Sequence, residues 1–178
     1  MPAGAIERFD TALLGTFAAA RTPVLDTVFA GVTWLGSLWL LLPLALLASR
    51  GLARRDGPMR GAVPAIALLA SSGICHALKF AADRNRPDLH QALVALPADA
   101  AFPSAHAAQA MALALTLALL LPLRRRPGWG TTLIMLALAV GISRLYLQVH
   151  WPSDVVAGWV LGSACALVAL RLTPATAR

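Results

Sequence analysis

Charge is scarce in this 178-residue chain: only 13% of its residues are Asp, Glu, Lys or Arg, against roughly a quarter in a soluble domain. A soluble surface is therefore excluded, and 58% hydrophobic residues with a mean hydropathy of +0.71 point to a polytopic membrane protein. Lysine is nearly missing. Lys79 stands alone, so the formal net charge of +7 comes almost wholly from arginine. Such an excess often signals nucleic acid, but these arginines occupy short loops between apolar runs, a pattern of membrane orientation that leaves no nucleic-acid partner. The two cysteines, Cys75 and Cys165, both fall within apolar segments and read as small buried side chains, with no disulfide or metal site. No cluster of carboxylates offers a metal site. Internal repeats, linkers and low-complexity tracts are lacking, and the length suits one domain, residues 1–178.

What is present is a series of apolar segments long enough to cross a hydrocarbon core, which takes about 20 residues. Five are expected, at approximately 24–48, 61–81, 103–123, 129–147 and 153–171. The last two are short, so tilt and snorkelling of Arg171 are expected. Ahead of them Ile6, Phe9, Leu13 and Phe17 recur at helical spacing, while Glu7, Arg8 and Asp10 fall on other faces. Residues 5–20 thus read as an amphipathic interfacial helix. A cleaved signal peptide fits poorly, because a positive n-region is missing and acidic residues interrupt the start. The expected fold is an all-α membrane bundle of about five spans plus this interfacial helix.

Arginine placement sets sidedness. Arg50, Arg54, Arg55 and Arg60 lie in one loop, Arg124, Arg125 and Arg126 in another, and Arg171 and Arg178 at the tail. Five spans put all three regions on one face, cytoplasmic by the positive-inside rule. The opposite face receives three polar clusters: Lys79 and Arg86 where the second span leaves, Ser104 and His106 where the third begins, and Arg144, His150 and Asp154 between the fourth and fifth. Topology alone gathers them. Ionisable groups cost about 2.5–3.5 kcal/mol at a bilayer centre, so they collect at span ends or do work.

The chemistry available there is phosphate chemistry. Lys79 and Arg86, seven residues apart, fall on one side of a helix if it continues that far. With Arg144 they supply three positive charges, two of them forks matched to phosphate oxygens. Pro103 suits a first helical position, where free N–H groups form an anion site, and Ser104 adds a hydroxyl. His106 is a candidate acid or base. Pro152 marks another helix start, leaving His150 just before it and Asp154 in the first turn. A carboxylate there can fix the tautomer of His150 and free its other nitrogen as a nucleophile.

These residues resemble a known pattern. K-x6-R-P (Lys79, Arg86, Pro87), P-S-x-H (Pro103, Ser104, His106) and S-R-x5-H-x3-D (Ser143, Arg144, His150, Asp154) are similar to the three signature motifs of the type 2 phosphatidic-acid-phosphatase superfamily. That group includes lipid phosphatases, undecaprenyl-diphosphate phosphatases, glucose-6-phosphatase and vanadium haloperoxidases. One departure is visible: Ala105 stands where the family usually has Gly. Only the backbone N–H is wanted there, so the change tightens the pocket without removing a function.

The resemblance implies a metal-independent, cofactor-free phosphohydrolase. His150 would form a phosphohistidine, Asp154 would orient it, and His106 would protonate the leaving oxygen and then activate water. Lys79, Arg86, Arg144, Ser104 and the amide of Ala105 would hold the phosphoryl oxygens. The small size implies a lipid phosphate or diphosphate at the outer face of a bacterial inner membrane. Undecaprenyl diphosphate is the first choice, with phosphatidic acid, phosphatidylglycerophosphate or a lipid A phosphate as alternatives. A haloperoxidase-like activity and a non-catalytic anion-binding bundle are the readings from other classes.

Some residues carry two readings. Arg84 either contacts a second phosphate or pairs with Asp83 or Asp88. His76 reads as a packing contact inside the bundle and His90 as a solvated loop residue. Gly158 and Gly162 form a G-x-x-x-G that serves either close packing within the chain or a homodimer through the fifth span. The loop from about 88 to 101 is expected to cover a lipid tail at a lateral opening.

Overall fold

The computed structural model describes residues 4–120, 122 and 126–173. Arg124, Arg125 and Arg178, part of the charge pattern used for sidedness, lie outside the described residues. Eight helices follow in order: α1 (Ala5–Ala19), α2 (Pro23–Val32), α3 (Leu38–Asp56), α4 (Pro58–Gly61), α5 (Val63–Ala82), α6 (Ala105–Leu120), α7 (Thr131–Tyr146) and α8 (Pro152–Leu172). A 3-10 turn, Thr33–Gly36, joins α2 to α3, and a π-helical turn, Arg126–Gly130, leads into α7. No strand occurs among the described residues.

The apolar segments lie where the sequence put them, with two corrections. The first was expected as one continuous helix over 24–48; it is broken at Ser37, whose ψ of 134° is extended, and its halves bend by 48°. Irregular backbone at this depth is tolerated where it lines a cavity, and this break faces the polar cluster described below. The third segment was expected from 103 to 123; its helix begins only at Ala105, after a cis Phe102–Pro103 bond. By length and apolarity α5, the Pro127–Tyr146 helix and α8 each suffice to cross a membrane, and α2 with α3 passes as a bent pair. α6 is shorter, 16 residues or about 24 Å.

α6 is short and yet central. Eleven of its 16 residues are buried, with α5, α7 and α8 around it, and six of those eleven are alanine. With no hydrophobic drive between helices in lipid, close packing of small residues holds them. The partner surface on α8 is glycine: a Cβ on Gly158 would sit 2.6 Å from the Ser104 carbonyl oxygen, and one on Gly162 would collide with that of Ala108. The G-x-x-x-G is therefore filled from within the chain. Gln109 Nε2 donates to Ser72 Oγ at 3.0 Å across α5 and α6, worth about 0.6 kcal/mol in such interiors. Outward faces are apolar instead, with Trp39 and Phe80 almost fully exposed.

α1 departs from the simple interfacial reading. Ile6 and Phe9 stay exposed as an interfacial face would, but Asp10 and Leu14 are fully buried, so the helix docks on the bundle. His76 lies on the outer surface, its Nδ1 2.9 Å from the Ser72 carbonyl oxygen, and not inside the bundle.

The glycine contacts give a direct test. Gly162→Ala forces a methyl into the α6 backbone, an overpacking that costs about 1–3 kcal/mol. We expect its thermal midpoint in detergent micelles to fall below wild type, while Gly15→Ala, which meets nothing within 4 Å, leaves the midpoint unchanged.

Candidate active site

Four helix ends deliver the three clusters to one place. α5 carries Lys79 in its last turn and stops at Asp83, which adopts a left-handed conformation (φ 38°). Arg86 is therefore not on the helix, as the seven-residue spacing suggested, but on the irregular segment 83–104. It still meets Lys79, through Asp99: Arg86 Nη2 lies 2.6 Å from Asp99 Oδ1 and Lys79 Nζ 3.3 Å from Oδ2. Lys79 also donates to the Ala100 carbonyl oxygen. Pro103 does not open α6. Ser104 takes the N-cap place, its carbonyl accepting from Ala108 N at 3.0 Å and its N–H donating to the Asp154 carbonyl oxygen at 3.0 Å. An N-cap serine normally uses its hydroxyl on the first turn; here Ser104 Oγ is buried and has no hydrogen-bond partner among the described residues.

The other two ends are α7 and α8. Arg144 occupies the last turn of α7, and the chain reverses through Gln148 in the left-handed region (φ 58°). The Gln148 side chain anchors this turn by donating to the Leu14 carbonyl oxygen at 3.0 Å. Pro152 opens α8, and Asp154 Oδ2 accepts from Trp151 N at 2.9 Å, as an acid in a first helical turn should. His150 sits between, 2% exposed.

The contacts of His150 assign its tautomer. Nδ1 faces Asp154 Oδ2 at 3.5 Å, close enough for charge but longer than a formed hydrogen bond, and has no other partner. Nε2 lies 3.3 Å from Arg86 Nη1, and a guanidinium only donates. Arg86 thus favours the tautomer with the lone pair on Nε2 and the proton on Nδ1, toward Asp154, while the Ala101 backbone offers the ring a competing acceptor. Burial, with the charges of Arg144, Arg86 and Lys79, pushes the His150 pKa well below the ordinary histidine value of about 6.5. The imidazole is neutral at physiological pH.

Positive charge surrounds it. Arg86 also donates to the Val149 carbonyl oxygen at 2.8 Å and the Asp99 carbonyl oxygen at 3.0 Å. Arg144 Nη1 donates to Thr33 Oγ1 at 2.6 Å, while its Nε is buried without a partner. His106, second residue of α6, lies within electrostatic range of His150, Arg144, Arg86 and Lys79. Partial burial opposes ionisation of Asp99, but the Arg86 hydrogen bond and nearby Lys79 outweigh it and hold that carboxyl below its usual range. Among the described residues no group of three His, Cys, Asp or Glu could hold a metal ion.

The fold of the same residues joins every sequence-predicted position, Ala105 included as the first residue of α6. Others were not foreseen. Asp99 sits in the loop from about 88 to 101, which also packs Ala92, Leu93 and Val94 on Tyr146, Leu147 and Val149. Gly36, at the broken first segment, would put a Cβ 3.1 Å from His106 Cβ and into Val140. Arg84 pairs with neither Asp83 nor Asp88 but with Asp10 and Asp154.

A sequence profile of the PAP2 superfamily matches residues 61–178. The chain belongs to that superfamily. Phosphatidylglycerophosphatase B of Bacillus subtilis (strain 168) is 30% identical to this PAP2 protein over 162 residues, 89% of this chain and 80% of that protein. An undecaprenyl-diphosphatase of Sulfolobus acidocaldarius is 40% identical over 77 residues, 43% of this chain and 35% of that protein. The crystal structure of a transmembrane PAP2-type phosphatidylglycerolphosphate phosphatase from Bacillus subtilis superposes with TM-score 0.85 at 28% identity, covering 94% of this chain and 86% of that one. LpxE of Aquifex aeolicus gives TM-score 0.77 at 25% identity, covering 92% and 95%. This PAP2 member is thus a membrane phosphatase with an all-helical fold.

The Gly36 contact yields a prediction at this site. A methyl there must displace His106 or Val140, and a 1 Å misplacement of a reacting group can cost about 10²-fold. Gly36→Ala should lower kcat on that order while the protein still purifies as a folded species.

Proposed function

We propose that the protein hydrolyses a lipid phosphate at the extracytoplasmic face of a bacterial cytoplasmic membrane, through a phosphohistidine on His150. The observation that carries this reading is the state of His150: neutral, with Nδ1 turned to Asp154 and the Nε2 lone pair presented among cations. Beside it are Ser104 Oγ and Arg144 Nε, buried donors with no protein partner. Leaving such a group unsatisfied costs about 1–3 kcal/mol, and phosphate oxygens are acceptors that would satisfy both.

His150 Nε2 attacks phosphorus in line, forming N–P as the P–O bond to the lipid breaks, and His106, protonated once the bound phosphate offsets the cations around it, gives that proton to the leaving oxygen. His106 then takes a proton from water, which attacks the phosphoryl group, forming P–O and breaking N–P to release phosphate and His150. Lys79, Arg86, Arg144, Ser104 and the Ala105 N–H hold the equatorial oxygens as charge spreads over them. Fixed cations do here what a bound divalent ion does in other phosphoryl-transfer sites, which supports turnover without metal.

A lipid tail is accommodated by an apolar cleft of about 330 Å³ among α3, α6 and α7, lined by Leu35, Leu44, Ala110, Leu117, Leu136 and Val140. Its upper end adjoins the site, since Ala110 is one turn from His106 and Val140 one turn from Arg144. Two substrates are proposed. Undecaprenyl diphosphate is supported by the archaeal relative and the small, membrane-embedded chain. Phosphatidylglycerophosphate is supported by the Bacillus relative, and by Arg84 being engaged with two carboxylates and not free for a second phosphate. The outward orientation rests on Arg50, Arg54, Arg55, Arg60 and Arg171 lying at the other end of the bundle, where Arg55 donates to the Leu120 carbonyl oxygen at 2.9 Å.

The test is phosphate release by purified protein from a panel of both lipids and phosphatidic acid, with EDTA present. We expect turnover with EDTA, none for His150→Ala, and a labelled phosphoenzyme trapped at alkaline pH in wild type alone. Lys79→Ala and Arg144→Ala should raise KM by about 10- to 100-fold, the loss of one charged hydrogen bond. Full activity of His150→Ala would refute the reading.

The direction of the His150 shift predicts a titration. The group gains its proton only below the ordinary range, so the ring 15N resonances of His150 in micelles should still show the neutral pattern at the pH where an unperturbed histidine is half protonated; a midpoint at or above the ordinary value would contradict the geometry.

A further inference from the structure

Outside the three motifs lies a second ionic cluster that joins α1 to Asp154. Asp10 is a wholly buried carboxylate in an otherwise apolar face of α1. Burying a charge this way is costly unless it is paired and hydrogen-bonded. Both oxygens are in fact matched: Oδ1 accepts from Ser153 N at 2.9 Å, and Oδ2 from Ser153 Oγ at 2.6 Å and Arg84 Nη2 at 2.7 Å. Arg84 Nη1 turns the other way, donating to Asp154 Oδ1 at 2.5 Å and Ser153 Oγ at 2.8 Å. The guanidinium lies over the Trp151 ring, 5.5 Å from its centroid, and the Trp151 indole N–H is tied to the Asn85 carbonyl oxygen at 2.9 Å.

We propose that Asp10 and Arg84 are positioning residues that set the orientation of Asp154 and, through it, of His150. The reason is geometric. An arginine beside a lone carboxylate prefers the bidentate fork, gripping both oxygens. Asp10 occupies one arm of the Arg84 fork, so Arg84 can hold only Oδ1 of Asp154. Oδ2 is left to the Trp151 N–H and to His150 Nδ1. Without Asp10, Arg84 closes on both oxygens, and the carboxylate turns away from the imidazole. Without Arg84, Asp154 loses the donor that fixes its rotation, and Asp10 is left buried beside Ser153 alone. The N-terminal helix is in this way a working part of the site.

This inference rests on the roles given to His150 and Asp154. Its test uses full-length protein in micelles, comparing Asp10→Asn and Arg84→Lys with wild type, His150→Ala and Asp154→Asn. Both positioning variants should lose on the order of 10- to 100-fold in kcat with KM unchanged. Their His150 ring 15N signals should move in the same direction as in Asp154→Asn, a readout that a merely structural contact would not shift. Retained kcat in both variants overturns the proposal, as does a raised KM with kcat intact, which would make Arg84 a phosphate ligand. Failure of both to fold also overturns it, since the cluster would then serve stability. Activity in His150→Ala and Asp154→Asn would instead sink the underlying mechanism, so the two failures are distinguishable.

Discussion

Desolvated positive charge is the constraint on which the rest of this structure depends. Lys79, Arg86 and Arg144 meet at one end of an apolar bundle with side chains at most 9% exposed. Like charges so placed repel, and removal from water adds a further cost. Compensation is only partial. Asp99 serves both Lys79 and Arg86, whereas the Arg144 guanidinium donates to a neutral hydroxyl, that of Thr33. The carboxylate of Asp154 is shared with Arg84 and so does little to cancel the three. An excess of positive potential thus remains around His150, and it has two consequences at once. It adds to burial in keeping the imidazole neutral, and it favours an incoming anion.

The helical scaffold exists to hold that unfavourable arrangement in register. Because the buried face of α6 is rich in alanine and its partner face on α8 is glycine, the two backbones touch along the line from Ser104 to Ala108. The same contact fixes the N-cap serine against the carbonyl of Asp154. Packing in the membrane and geometry at the site are one interface here. The broken α2–α3 segment acts similarly from the other side, with Gly36 against His106 and Thr33 against Arg144. Small residues at these contacts allow approach distances that any larger side chain would prevent.

Much of this was legible in the sequence because the relevant distances are short along the chain. His150 and Asp154 lie four residues apart across a helix start marked by Pro152, and local rules for helix N-termini fix their relation. Alternation of exits and starts then brought the three clusters to one end. What escaped were pairings across long separations. Asp10 is 74 residues from Arg84 and 143 from Ser153 in hydrogen bonds that no local spacing encodes. Asp99 sits in a stretch of Ala, Pro and Leu with no periodicity. The break at Ser37 was hidden because Trp and Leu dominate TWLGSLWL and carry the hydropathy across it, and hydropathy does not distinguish a bent span from a straight one. Lys79 and Arg86 would share a side if the helix continued that far; it ends at Ala82, and a carboxylate from the following loop joins them instead.

That substitution of a loop for a helix has a physical logic. Two cations fixed on one rigid helix would keep a set separation. Placing Arg86 on irregular backbone lets Nε and Nη2 reach Asp99 while Nη1 turns to the Val149 carbonyl oxygen and His150. The segment avoids unsatisfied backbone by borrowing partners from elsewhere, with Ala101 N on the Arg84 carbonyl oxygen and Leu93 N on that of Leu147. It is thereby ordered without being helical. Rigid helices supply Lys79, Arg144 and Asp154, a pinned loop supplies Arg86, and the nucleophile candidate lies at the seam between them. A bundle of straight helices alone could not direct four side chains from different heights onto one imidazole; the irregular connections make that convergence possible.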